Sequence, residues 1–390
     1  MEHHRRHAFI WRLMQPLIRL FGRVFLRFRG EPAEVTGPYL AVCNHVTDFD
    51  PVLMACSFRE QMYYVASEHL MRSGLAGRFV SWAQAPIARQ KGGSAADTVM
   101  SILRHLKKGY NVAFFPEGNR SWDGVTGEFL PSTGKLARTA AASGASLVTY
   151  RLTGGYLASP RWAGAAMRRG KMRGEPVHIY SPAELRAMKP EEINAAIAAD
   201  LHEDCWAAQR EAPVEYRGRR LAEHLETLFF LCPKCGAVHA LRSEGDRLTC
   251  SACGLTVRFL PTGFVTGEGL AWDNLRDWNL WQQSEIRRLC DEAEGDAVIF
   301  SDGDMRTLLV DKGRRAQELG RGEMALRRDR LELPGLALPL SEITGIALRG
   351  AQDIYFGTRS GNYQVVCHSP RCTVRYLTAI SHINGVTYGV

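Results

Sequence analysis

The chain has 390 residues, 45% hydrophobic and 23% charged; this globular composition excludes a disordered or collagen-like protein and leaves room for two or three domains. Its net charge is +8, but residues 1–30 carry seven arginines (Arg5, Arg6, Arg12, Arg19, Arg23, Arg27, Arg29) against one acid, Glu2, and so hold +6 of it. The rest of the chain is nearly neutral, which excludes a uniformly basic nucleic-acid coat.

Residues 1–30 read as a basic amphipathic helix. From Ala8 to Phe28 large apolar residues recur. Arg12, Arg19, Arg23 and Arg27 are spaced so that, at 100° per residue, they share an arc of about 80°. An arginine every few positions interrupts the roughly 18 uncharged residues that a membrane span needs. The segment also lacks the unbroken apolar block and cleavage site of a secretory signal. Two readings remain: a helix lying on anionic lipid with its arginines among the headgroups, or a helix packed on its own domain with a solvated basic stripe.

Residues 31–215 read as an α/β domain, a mixed sheet flanked by helices. Strands are expected at Tyr39–Cys43, Met62–Ala66, Val112–Phe115, Ser146–Leu152 and Pro176–Tyr180. Helices are expected at 94–108 (capped by Ser94), 134–143 and 190–210, the last with Pro190 in its first turn. A second basic stretch, Arg161, Arg168, Arg169, Lys171 and Arg173, reads as a solvated face or as one turned to a membrane or carrier protein.

Residues 229–260 contain Cys232-Pro-Lys-Cys235-Gly and Cys250-Ser-Ala-Cys253-Gly, 14 residues apart. Two such knuckles fit a tetrahedral Zn2+ site with four thiolates and no open position, so the zinc is expected to be structural. Its only cations are Lys234, Arg242, Arg247 and Arg258, so nucleic acid is not an expected partner. The other six cysteines (Cys43, Cys56, Cys205, Cys290, Cys367, Cys372) follow no framework and are expected to be small buried hydrophobes in a reducing, cytoplasmic setting. Residues 265–292 form a Trp-rich helical connector, with Trp278 and Trp281 expected in the core. Residues 295–390 alternate short strands and turns, then close with Val374, Leu377, Ile380 and Ile383 at helical spacing: a β-rich domain, loosely PH-like.

Two blocks carry chemistry. Asn44-His45-Val46-Thr47-Asp48-Phe49-Asp50-Pro51 follows the first expected strand. On one continuous helix His45 and Asp50 would point about 140° apart, so only a turn from strand into helix lets them meet. There Asp50 either fixes the His45 tautomer for general base work or simply caps the helix that Pro51 begins. The second block, Phe114-Phe115-Pro116-Glu117-Gly118-Asn119-Arg120-Ser121, ends another strand. Arg120 suits a phosphate, Glu117 suits hydroxyls or that arginine, and Gly118 lets a ligand approach the main chain. Arg89, with Lys91 nearby, is a third cation at a strand end.

In this order the blocks resemble the glycerolphosphate and 1-acylglycerol-3-phosphate acyltransferase family. Asn44-His45-x-Thr47-x-x-Asp50 is similar to its His-x4-Asp block, with Thr47 where Ser is usual. Phe115 to Ser121 match its Phe-Pro-Glu-Gly-x-Arg-Ser block, and Arg89 stands where an intermediate block carries arginine. The resemblance covers about residues 30–210 and implies a glycerolphosphate-acyltransferase-like fold. It implies transfer of a fatty acyl group from an acyl-CoA or acyl-carrier-protein thioester to the hydroxyl of lysophosphatidate. His45 would be the base and Asp50 its support, with Arg89, Glu117, Gly118 and Arg120 around the acceptor. It also implies a peripheral enzyme at the inner face of the cytoplasmic membrane, docked by the N-terminal helix, with acyl carrier protein a possible partner. The alternatives are acylation of glycerol-3-phosphate, another lysophospholipid or a non-phosphate acceptor, or a binding module built on the ribbon and the PH-like domain.

Overall fold

A computed structural model describes residues 2–67, 82, 84–89, 95–164, 166–310 and 316–386. Lys91 and the expected cap Ser94 lie outside the described residues. The chain divides into two compact units, Met1–Pro160 with Arg169–Tyr216, and Arg161–Arg168 with Arg217–Val390.

The first unit is built on α1 (Glu2–Val24), β1 (Phe28–Gly30), β2 (Tyr39–Cys43), α2 (Asp50–Ser57), β3 (Met62–Ser67), β4 (Ile87–Arg89), α3 (Ala95–Lys107), β5 (Asn111–Phe114), α4 (Ser132–Ala141), β6 (Ser146–Thr153), β7 (Met172–Tyr180), α5 (Pro190–Leu201) and α6 (Cys205–Glu211). Its sheet has the order β1-β7-β6-β2-β5-β3-β4. The five strands β6, β2, β5, β3 and β4 are mutually parallel. β7 runs antiparallel to β6, and β1 parallel to β7. All five residues of β2 are buried, as expected of a central parallel strand covered on both faces. Leu40 and Val42 of β2 and Val112 of β5 join Leu136 and Ala137 of α4 and Ile193 and Ile197 of α5 in one core cluster. This layering leaves the carboxyl ends of five strands along one edge of the sheet, where open α/β sheets bind ligands.

Two sequence expectations need correction. The apolar stretch ending at Phe28 is not one helix: α1 stops at Val24 and Phe28 opens an edge strand. The helix expected over 190–210 is broken after Leu201. Asp204 caps a second helix, its side chain accepting from Trp206 N–H (2.9 Å) and Ala207 N–H (3.1 Å).

On α1 one face packs on the first unit and the other stays exposed. His7, Trp11 and Gly22 are buried, and Trp11 Nε1 donates to Arg59 O (3.1 Å) while Arg19 Nε donates to Cys56 O (3.0 Å). Phe9, Leu13, Leu17, Leu20, Phe21 and Val24 are exposed, over an arc of about 120° at 100° per residue. Arg5, Arg12, Arg19 and Arg23, also exposed, form an arc of about 40° beside that apolar face. Among the described residues no helix is long and apolar enough to cross a membrane.

In the second unit, β8 (Leu241–Glu244), β9 (Arg247–Cys250), β10 (Thr256–Phe259) and β11 (Val265–Thr266) form an antiparallel sheet, so the ribbon reaches past the boundary at 260. Helix α7 (Leu275–Glu292) buries Trp278, stacked on Phe229 with ring centroids 4.0 Å apart; Trp281 is half-buried. Then come β12 (Phe300–Val310), β13 (Ala316–Leu326), β14 (Arg330–Leu333), β15 (Leu336–Pro339), β16 (Ile343–Arg349), β17 (Asp353–Thr358), β18 (Asn362–Cys367) and α8 (Val374–Asn384). These seven strands form one antiparallel sheet in the order β15-β14-β13-β12-β18-β17-β16, two meanders joined through β12 and β18.

The second basic stretch is not one patch. Arg161 and Arg168 are buried in the second unit: Arg161 donates to Gly350 O and Leu348 O (both 2.7 Å), and the Arg168 guanidinium covers the Trp162 and Phe259 rings. Lys171 and Arg173 are exposed in the first unit.

Candidate active site and metal centre

β2 ends at Cys43 and α2 begins at Asp50, so the turn between them carries Asn44 to Phe49. Asp50 closes that turn. Its wholly buried carboxylate accepts from Val46 N–H (2.7 Å), Thr47 N–H (3.0 Å) and the Thr47 hydroxyl (2.6 Å). Its Oδ2 lies 2.7 Å from His45 Nδ1. Asp50 is therefore no N-cap; Phe49 holds that position without a side-chain cap, and Asp50 faces back into the turn. A hydrogen bond to a carboxylate places the ring proton on Nδ1 and turns the Nε2 lone pair outward. The imidazole lies on the Phe115 ring, centroids 4.4 Å apart, with its side chain 22% exposed.

The second block meets the first through the main chain. Glu117 Oε1 accepts His45 N–H (2.6 Å), Oε2 accepts Gly127 N–H (2.8 Å), and Ser121 N–H donates to His45 O (3.0 Å). Glu117 is buried with both oxygens committed to backbone, so it braces the turn. Gly118, at φ +72°, supplies the left-handed residue of the turn closed by its N–H to Phe115 O (3.1 Å). Arg120 is also buried; its Nη1 makes no hydrogen bond and lies 3.3 Å from the exposed carboxylate of Asp48.

Arg89 ends β4, on the same edge of the sheet as His45. It stands three strands from β2, about 14 Å at the usual strand spacing. Burial pulls its pKa down.

Asn44 and Glu203 were not assigned roles from the sequence. Asn44, wholly buried, clamps the end of β6: Nδ2 donates to Leu152 O (2.8 Å), and Oδ1 accepts Leu152 N–H (2.7 Å). Glu203 lies in the break between α5 and α6, accepts Gly154 N–H (2.8 Å) and stands 3.4 Å from Asn44 Nδ2. Burial pushes the Glu203 carboxyl up to about 8. The same cause raises Glu117 to about 8, against the two backbone N–H groups that favour its charged form. Both also feel the negative charge of Asp50. The only sequence signal for Glu203 was Asp204, a capping residue inside an otherwise helical run.

The second unit holds a separate metal-fitting cluster. The Sγ atoms of Cys232, Cys235, Cys250 and Cys253 all lie within 4.8 Å of one another. Cys232 and Cys253 are 3.7 Å apart, and Cys235 and Cys250 3.8 Å. A tetrahedron with metal–sulfur bonds near 2.3 Å has edges of about 3.8 Å, so the thiols fit one metal ion. Gly236 and Gly254, at φ +69° and +73°, donate to Cys232 O and Cys250 O (both 2.9 Å) and close the knuckles. Of the other cysteines, five are buried and Cys56 is half-buried.

Residues 25–153 match the Acyltransferase family model. No curated protein matches the chain. Among solved structures it is similar to the 1-acyl-sn-glycerophosphate (LPA) acyltransferase PlsC of Thermotoga maritima, at 17% identity and TM-score 0.41, over 52% of this chain and 81% of that one. A weaker likeness, at 15% identity and TM-score 0.18, is to the N-terminal PH domain of human ARAP2, over 24% of this chain and 84% of that one. The turn holding His45 and Asp50 and the braced Glu117 loop both lie inside the segment, residues 25–153, that is similar to the Acyltransferase family model.

Proposed function

We propose that the chain is an O-acyltransferase that moves a fatty acyl group from an acyl-CoA or acyl-carrier-protein thioester to the free hydroxyl of 1-acyl-sn-glycerol-3-phosphate. The observation that carries this reading is the His45–Asp50 hydrogen bond of 2.7 Å beneath a partly exposed imidazole. In the reaction His45 Nε2 takes the hydroxyl proton as the acceptor oxygen attacks the thioester carbonyl. The C–S bond then breaks, and the leaving thiolate recovers that proton. Asp50 holds the ring and offsets the charge it gains. General base assistance of this kind is worth about 10²–10⁴-fold. No covalent acyl-enzyme is needed.

Arg120 and Arg89 hold the acceptor phosphate in this reading. Its support is the buried Arg120 Nη1, which makes no hydrogen bond, and the position of Arg89 on the same sheet edge. Glu117 braces the main chain of His45, and Gly118 leaves room at the turn. α1 lies on a bilayer at the inner face of the cytoplasmic membrane, its exposed apolar arc in the interface and the arginines beside it among anionic headgroups. The four cysteines hold a structural zinc, and the seven strands closed by α8 form a PH-like module.

The test is a product assay by mass: purified protein with acyl-CoA and acyl-carrier donors against lysophosphatidate, glycerol-3-phosphate, a neutral lysolipid and a phosphate-free glycerol. Phosphatidate as the main product supports the assignment. A preference for any other acceptor reassigns the substrate, and an unchanged acceptor KM in Arg120→Lys removes the phosphate role of Arg120.

A further inference from the structure

Apart from the His45 turn, the first unit has a cavity of about 290 Å³ lined by Arg23, Arg27, Arg29, Lys171, Met172 and Arg173. Five of its six lining residues are cations. The two stretches that supply them, 23–29 and 171–173, are far apart in sequence and meet because β1 pairs with β7. That pairing sets Arg29 directly opposite Arg173. Like charges facing across neighbouring strands are destabilising. None of the five cations makes an ion pair with a described residue, and Glu175, close by on β7, is taken by Arg151 at 2.6 Å.

The backbone adds a second sign. Arg27 sits at φ +51°, a left-handed conformation that glycine adopts freely and a long side chain rarely does, and its carbonyl accepts Met172 N–H (3.3 Å). An arginine held there adds a cation to the cavity. No acidic residue is among the residues that line the cavity.

The surroundings indicate which anion. Val24 and Phe25 are exposed beside the cavity, and Phe25 stacks on the exposed Phe21, ring centroids 5.4 Å apart. A ligand with a phosphate and a fatty chain matches both features: the phosphate enters the cationic cavity while the chain follows the apolar arc of α1. At about 30 Å³ per water, the volume takes a phosphate together with its glycerol.

We infer that this cavity binds the phosphate headgroup of an anionic phospholipid, so that α1 docks on one specific lipid as well as on the field of a charged surface. The inference rests on the membrane reading of α1 but needs neither His45 nor turnover. β7 begins where β6 ends, with Arg173 opposite Thr153, so the site shares the sheet edge that carries His45. A lipid held there would set that edge at the bilayer surface.

The experiment is calorimetric titration of the full chain with monomeric short-chain phosphatidylglycerol, which is neither substrate nor product of the proposed reaction. One site per chain is expected. Arg29→Gln with Arg173→Gln should weaken binding by about tenfold or more. Arg5→Gln with Arg12→Gln removes the same charge from α1 outside the cavity and should leave binding within about twofold. Equal losses in the two pairs would mean diffuse electrostatics and overturn the site. Absence of one-site binding overturns it as well, and inorganic phosphate binding as tightly as the lipid would make it a free-phosphate site instead. Because Arg29 and Arg173 are exposed like charges facing each other, their double variant should melt no lower than the parent, and Lys171→Gln supplies an independent third cation. His45→Ala should bind the lipid unchanged, so failure of the acyl-transfer reading would be seen separately.

Discussion

Asp50 and Asp302 are both wholly buried carboxylates at the centre of a hydrogen-bonded cluster, one in each unit. Around Asp50 the partners are two backbone N–H groups, a hydroxyl and an imidazole whose other face is open. Asp302 is met by the Arg375 guanidinium and by the Tyr376 hydroxyl (2.8 Å). Arg375 is itself fully buried, against the rings of Phe230, Phe300 and Tyr376. The first cluster leaves a part-exposed imidazole hydrogen-bonded to its carboxylate at 2.7 Å. The second closes Arg375 and Tyr376 away, and the part-exposed His239 and Arg371 stand at its rim, 3.7 and 3.4 Å from Asp302. A buried charge pair does not mark a reactive site by itself. What distinguishes one is an outward group whose orientation the burial fixes.

That contrast can be broken experimentally. The largest effect is expected from Asp50→Asn, which should lower kcat/KM for acyl transfer by about 10²–10⁴-fold while the circular-dichroism spectrum stays that of the parent. Near-parent activity would show that the ring needs no carboxylate. The converse variant, Asp302→Asn, should lose about 3–5 kcal/mol of stability to denaturant, because it strands a buried guanidinium. Its kinetic constants should hold wherever it remains folded. A loss of catalysis there without unfolding would erase the distinction between the two clusters.

A third prediction concerns the metal. The purified chain should carry one zinc ion by elemental analysis, and Cys250→Ser should release it and unfold the ribbon, read as exposure of thiols to a colorimetric reagent. Zinc retained at parent stoichiometry in that variant would place it elsewhere.

The smallest effect is in pH dependence. Glu117 and Glu203 titrate near 8 when folded, above the ordinary carboxyl value of 4.5. Between those values the folded chain holds more protons than the unfolded one, so their contribution to stability is full below about 4.5 and is lost as pH rises through 8. Denaturant midpoints should fall over that range, and less steeply in Glu203→Gln. An equal slope in parent and variant would mean that Glu203 is ionised throughout.

Much of this site was legible because its parts are local. His45 and Asp50 lie on one turn, and their spacing already required a bend from strand to helix. The Glu117 block likewise sits at the end of its own strand. Glu203 was not legible: it reaches Asn44 across 159 residues, and helical composition on both sides hid the break that positions it. The cationic cavity was hidden for the same reason, since Arg29 and Arg173 meet only through β1, a three-residue strand masked by an apolar, helix-like sequence. Similarly, Arg161 and Arg168 read as surface charge, yet Arg161 is held by the distant carbonyls of Leu348 and Gly350, and Arg168 by the distant Phe259 ring and Leu221 carbonyl.

The most direct test of the central claim is product formation by His45→Ala and the parent, side by side, from an acyl thioester and lysophosphatidate, with phosphatidate read by mass. The account predicts phosphatidate from the parent and a loss of about 10²–10⁴-fold in a folded variant. Undiminished phosphatidate formation by His45→Ala would contradict it.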